Sequence, residues 1–381
     1  MRRGRFSQKW VTQAHVLALA LIGATGVVAH ALPSQTEPET LLPTWDRTFT
    51  IKAAGGYKDN VGLSHAQPEA SPFFRSTLEA VAIRLPMDDQ QVSLVLSAED
   101  TRYSASKAVD HEDFVVAQGE YRHFWANDWQ AGFAVQGLYL DQVLDLSVTE
   151  ARTNAFPVLG GGVTLRPSVR RDLSEAIWLS VEMAAERQLF RGTLDNYWEL
   201  GPKVVLGRTY GNGSEISAGY EYLYRGYDEE FARDARGGSI TNLVRAAFQQ
   251  EVSVAWKHYW RADRHWRSTT KAGFQRNEDN ASGYFDFSRY QLSHQLRYQA
   301  KPWEVTLEGR LSYYKFPVQT VSASDLNHRR RADLQITARA ERSFGRHLRL
   351  SADYAYERAD SNLPIDEYAV NMVSAGVSWE F

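Results

Sequence analysis

Apolar side chains recur at every second position along most of this chain. Between residues 304 and 313, Val305, Leu307, Leu311 and Tyr313 fall on one face, and Glu304, Thr306, Glu308, Arg310 and Ser312 on the other. The same alternation puts Ile216, Ala218, Tyr220, Tyr222 and Tyr224 together within 215–225, and sets Leu348, Leu350, Ala352, Tyr354 and Tyr356 against Arg349, Ser351 and Asp353. A period of two is that of a β-strand. Strands are predicted near 48–57, 72–85, 91–103, 113–125, 129–141, 155–166, 175–190, 196–209, 214–225, 242–259, 265–276, 287–300, 303–315, 330–343, 347–359 and 367–381, about sixteen in all. They are long enough for the ~9–11 residues that cross a bilayer at a tilt.

The breaks between strands alternate in length. Those after even strands are short, as at 86–89, 126–128, 211–213, 261–264, 301–302 and 345–346; those after odd strands are mostly longer, as at 58–71, 142–154, 226–241 and 316–329. An even strand count with short turns at one end and long loops at the other is the pattern of an outer-membrane barrel, its short side periplasmic. The expected fold is therefore all-β, a transmembrane antiparallel up-and-down β-barrel over 48–381. Trp125, Trp129, Trp260, Trp266, Trp303 and Trp379 sit at segment ends, where they would form an interfacial girdle. Gly160, Gly161 and Gly162 lie inside a strand pattern and do not open a helix, which excludes a nucleotide loop and points to a bulge or a close contact.

Composition agrees. The chain has 381 residues, 12% of them aromatic, with 19 Tyr and 11 Trp, yet its mean hydropathy is −0.44. Cysteine is absent, which removes disulfides, thiolate metal sites and cysteine nucleophiles. A net charge of −3 offers no basic field for nucleic acid. At the N-terminus, Arg2, Arg3, Arg5 and Lys9 precede an apolar run from Val16 to Val28, and Ala29-His30-Ala31 fits a cleavage site. Residues 1–31 thus read as a signal peptide, and 32–47 as a short periplasmic segment.

The last residues carry a more specific pattern. Ser374, Gly376, Trp379 and Phe381 are spaced as polar, glycine, aromatic and terminal aromatic. This resembles the C-terminal assembly signal of Gram-negative outer-membrane β-barrel proteins, and the resemblance implies recognition by the barrel assembly machinery and contact with outer-membrane lipids and lipopolysaccharide. Gly55-Gly56-Tyr57-Lys58-Asp59-Asn60-Val61 and Tyr354-Ala355-Tyr356-Glu357-Arg358-Ala359-Asp360-Ser361-Asn362 resemble segments of the β-barrel porins encoded with exopolysaccharide export systems. That likeness implies a passage for a polymer or small solutes, with polysaccharide-export components as partners.

Chemistry is sparse. His111-Glu112-Asp113 and Asp325-Leu326-Asn327-His328 fall in expected loops, His258 and His265 flank a turn, and no Gly-x-Ser-x-Gly elbow is present. No catalytic residue, metal or cofactor is assigned. The inward face is the expected functional surface, lined by Glu221, Arg225, Arg297, Glu304, Glu308, Arg310, Asp333, Arg339, Glu341, Arg349 and Asp353. A barrel of this size leaves an aqueous lumen unless a loop fills it. The leading reading is a porin-like channel for polysaccharide or small polar solutes. The alternatives are a non-conducting scaffold or surface-binding barrel, then a barrel-borne hydrolase. The basic run Arg329-Arg330-Arg331 is expected at the outer rim, either solvated or against lipopolysaccharide phosphates.

Overall fold

A computed structural model describes residues 45–381 except 88, 126–127, 146, 151–154, 193 and 323. The expected signal peptide, and the expected periplasmic segment up to residue 44, lie outside the described residues.

Sixteen strands close into one antiparallel barrel in which each pairs with its neighbours in sequence and β1 pairs with β16. They are β1 (Trp45–Lys58), β2 (Ser71–Met87), β3 (Gln90–Tyr103), β4 (His111–Trp125), β5 (Trp129–Leu144), β6 (Phe156–Asp172), β7 (Ile177–Arg191), β8 (Tyr197–Tyr210), β9 (Ser214–Arg233), β10 (Ser239–Tyr259), β11 (Trp266–Asp279), β12 (Phe287–Ala300), β13 (Trp303–Thr320), β14 (His328–Phe344), β15 (Leu348–Ser361) and β16 (Tyr368–Glu380). Closure leaves no sheet edge, so every strand finds a ladder on both sides.

Among the expected boundaries that move, those of β6, β9 and β10 do so for physical reasons. β6 runs to Asp172, through a stretch expected to be a link. Pro167 keeps its place opposite Phe133 of β5, while the ladder to β7 skips it, because proline has no N–H to give. β9 and β10 continue well past their expected ends at the loop side, with register shifts between Ser239 and Ala246. Their polar, glycine-containing sequence looks like loop because that hairpin carries no long apolar stripe. The three consecutive glycines of β6 keep a regular register and serve close approach: a Cβ on Gly161 would fall on the carbonyl oxygen of Leu138.

The alternation sorts the two faces cleanly. Outward residues in the middle of regular strands are apolar and exposed, among them Leu206, Val252, Leu292, Leu307, Leu350 and Val373. In water, such a continuous apolar band would be an association liability. Trp125, Trp129, Trp260, Trp266, Trp303 and Trp379 are all exposed and all stand at the short-turn end. Asp89 and Asp128 take φ 59° in two of those turns, a left-handed conformation that Asp tolerates. The compact apolar packing lies elsewhere, inside the barrel toward the loop end, where Val61 meets Phe73, Tyr103, Val109 and Val143.

Candidate functional site: the lumen and the segment that crosses it

Every residue expected to line the lumen stands on the inward parity of its strand, and each is held in an ion pair. Lys203 reaches Glu221 at 3.2 Å, Arg297 reaches Glu304 at 2.6 Å, and Arg310 reaches Glu308 at 3.6 Å. Arg225 bonds Glu199 through Nε at 2.9 Å. Arg339 pairs with Asp353 and lies 3.9 Å from Glu341, Arg349 pairs with Glu380, and Asp333 accepts from Arg331 at 2.6 Å. Most of these join adjacent strands. Arg289 on β12 reaches Glu251 on β10 at 3.0 Å, two strands away.

Exposure along this face varies, and Glu341 and Arg297, both near the turns, are only 17% and 18% exposed. Near the turn end, the side chains of Arg339 and Arg349 are 52% and 40% exposed; toward the loop end, Asp333 and Arg225 are 11% and 10%. Toward the loop end the inside of the barrel is filled.

The filling comes from residues 145 and 147–150, between β5 and β6. Asp145, Ser147, Val148 and Glu150 are all buried. Arg331 on β14 pairs with Asp145 and donates to Ser147 Oγ, and Arg329 donates to the Ser147 carbonyl at 2.8 Å. Arg245 on β10 binds Glu150 at 2.7 Å and the Thr149 carbonyl at 2.8 Å, while Tyr227 on β9 donates to Glu150 at 3.3 Å. Val148 packs with Phe287, Tyr314 and Phe316 of β12 and β13. β14 is seven strands from β5 one way round the barrel and nine the other, so the segment spans the lumen.

Each cation that pins it lies over an aromatic ring. Arg245 is 4.4 Å from the Tyr227 centroid and 3.5 Å from that of Phe285, and Arg329 is 4.4 Å from Phe316. A planar, weakly hydrated guanidinium suits such burial better than an ammonium. Arg329 also donates to Asp366 at 2.8 Å. That carboxyl sits in the turn before β16, where burial pushes its pKa up against the pull of Arg329 and Arg331.

The basic run corrects an expectation. Arg329 and Arg331 are buried inside, and only Arg330 is exposed on the outside. Strand parity is the reason: inward Asp333 takes 331 and 329 with it. The other singled-out clusters disperse. Glu112 points inward, 3.4 Å from Lys58, while the His111 Nδ1 lies 2.6 Å from Asp110. Asp325 accepts from the amide of Asn327 at 3.0 Å, closing its own turn. His258 stacks on both Tyr210 and Trp256, and His265 lies 3.3 Å from Asp263. Among the described residues, no group of three or more His, Asp or Glu side chains is arranged to hold a metal ion.

Loop 59–70 lies over the same end. Glu69 accepts from the amides of Lys107 at 2.6 Å and Ala108 at 3.2 Å, and from Ser106 Oγ at 2.9 Å. The Lys107 amide above all holds its carboxyl below the usual 4.5. A depressed carboxyl contributes stability above its unfolded value and loses it as pH falls through the folded one. Acidification below 4.5 is expected to loosen 59–70 from 104–110, seen as lost amide-exchange protection at Lys107 and Ala108 while mid-strand amides stay protected. Unchanged protection of those two amides down to the acid limit would count against it.

At the C-terminus, Ser374 is buried, and a Cβ on Gly376 would stand 2.7 Å from the Ala53 carbonyl oxygen. Trp379 stacks on His347, and the Phe381 amide donates to the Phe49 carbonyl at 2.9 Å. Ser374, Gly376 and Trp379 stand opposite Gly56, Ala54 and Ile51 in the β1–β16 ladder, and the Trp379 ring packs on the β15 side.

No family model matches the chain, and no curated protein matches it. Among solved structures it is similar to a bacterial polysaccharide outer membrane secretin at 7% identity and TM-score 0.43, over 87% of this chain and 98% of that one. It is similar to OccAB1 of Acinetobacter baumannii at 6% identity and TM-score 0.47, over 88% and 96%. A BenF-like porin from Pseudomonas fluorescens Pf-5 gives 10% identity and TM-score 0.43, over 89% and 100%.

Proposed function

We propose that the protein is an outer-membrane channel, with its short turns on the periplasmic side and a constriction near the outer mouth formed by residues 145 and 147–150. The observation that carries this reading is the pairing of an exposed apolar outer face with an ion-paired inner face in a closed sixteen-stranded barrel. Lipid is the solvent that suits the first, and water the second. Cations and carboxylates alternate along the wall, so the lumen presents paired charge to its cargo. Polar solutes of small size fit that lining, and an extended polysaccharide strand is the larger cargo of the same class. The terminal pattern from Ser374 to Phe381 serves assembly at the β1–β16 ladder. One observation favours a second reading, a non-conducting scaffold: Asp145, Ser147, Val148 and Glu150 of the bridging segment are buried.

Single-channel recording of the refolded protein in a planar bilayer separates the two. Discrete, reproducible steps are expected for the channel. Silence from protein that migrates as the compact heat-modifiable form would favour the scaffold.

A further inference from the structure

Lys315 on β13 and Arg330 on β14 are directly opposed partners in the ladder. Both are exposed, and their neighbours Tyr314, Phe316, Arg329 and Arg331 are buried inside, so both side chains point outward at the loop-side rim. Opposed positions bring Cβ atoms to about 4.5–5.5 Å, where like charges repel. Four other outward cations of the rim each have a carboxylate: Arg102 has Asp100 at 2.6 Å, Arg187 has Asp228 at 2.8 Å, Arg276 has Glu278 at 2.5 Å and Arg358 has Asp360 at 2.7 Å. No carboxylate among the described residues pairs with Lys315 or Arg330.

The surface below them is graded. The Lys315 ammonium lies 5.7 Å from the ring of Tyr290 and 5.8 Å from that of Tyr313. Two positions further toward the turns, Leu292 and Leu311 are ladder partners, 51% and 48% exposed. Cation, tyrosine and leucine in that order match an anionic head, an interface and an acyl chain.

We propose that Lys315 and Arg330 hold the phosphate of an anionic membrane lipid in the loop-side leaflet, with its chains over Tyr290, Tyr313, Leu292 and Leu311. The proposal rests on the membrane reading above. A phosphate between the two cations replaces their repulsion with charge-assisted hydrogen bonds, from the guanidinium fork on one side and the ammonium on the other.

The test is native mass spectrometry of the intact barrel in neutral detergent, titrated with diphosphorylated lipid A or with phosphatidylcholine. The wild type is expected to retain the phosphorylated lipid, and the double variant Lys315→Gln/Arg330→Gln to retain it about thirtyfold more weakly, about fivefold per cation. Arg102→Gln, whose cation has its own aspartate, is expected to leave retention unchanged. Equal retention by the double variant overturns the proposal, and so does displacement of the lipid by an equal concentration of inorganic phosphate, which would make this a site for the free anion. Failure of the membrane reading has a separate signature: the wild type would not take up its compact form in any vesicle, phosphatidylcholine included, and both proposals would fall together.

Discussion

Arg331→Ala is expected to raise single-channel conductance and to cost about 3–5 kcal/mol of stability, the range for breaking a buried ion pair by removing one partner. The Arg331 side chain has no exposed surface, and it pairs with both Asp145 and Asp333. It also donates to Ser147 and lies 5.8 Å from the Tyr368 ring. Truncation takes away the guanidinium that two carboxylates face, and with it the anchor that β14 gives Asp145. Arg329 and Arg245 still hold Ser147 and Glu150, so the segment should swing from two remaining points, giving larger and noisier steps. Arg346→Ala, exposed in the turn after β14, is the control and should change neither conductance nor the urea midpoint beyond the ~0.5 kcal/mol typical of surface sites. A variant whose conductance and midpoint both equal the wild type's would mean that the crossing segment neither constrains the lumen nor depends on this cation.

The architecture was legible because a barrel strand reports its own geometry. Each one buries nothing on one side except against lipid, so its period of two survives along the whole strand, as at Val305, Leu307 and Leu311. Inward charges follow from the same parity, which is why Glu304, Arg310 and Asp353 stand where alternation places them. The crossing segment was not legible. Asp145 and Glu150 look like ordinary loop polarity, and their partners lie about a hundred or more positions away, at Arg245 and Arg331, joined only by barrel closure. A signal was nonetheless present in the basic run. Leu334 and Ile336 face outward, so the same alternation carries 333, 331 and 329 inward and leaves 330 outside. Two buried arginines in one strand need acids, and no local segment of β14 supplies enough of them beyond Asp333.

Leu307→Arg should cost about 2–4 kcal/mol in phosphatidylcholine vesicles, the range for a cation on the lipid face near the bilayer midplane. Leu307 is 50% exposed, midway along the part of β13 below Lys315, opposite Leu296 and Ala338. Half-exposed, it gives up little packing when replaced, so the cost reports the medium outside the barrel. Gly309 refines the measurement, because a Cβ there meets nothing within 4 Å. Gly309→Arg should therefore repeat most of the penalty with no packing lost, while Gly309→Leu should be neutral or stabilising. Moving the same cation to the turn end, at Val305 and then Trp303, should bring the cost down toward about 0–1 kcal/mol as the guanidinium reaches the interface. The measurement is the urea midpoint of each variant refolded into the same vesicles. A flat profile, with Leu307→Arg costing no more than a surface substitution, would place water against that face. The apolar belt would then need a protein partner to cover it, and the channel reading would lose its foundation.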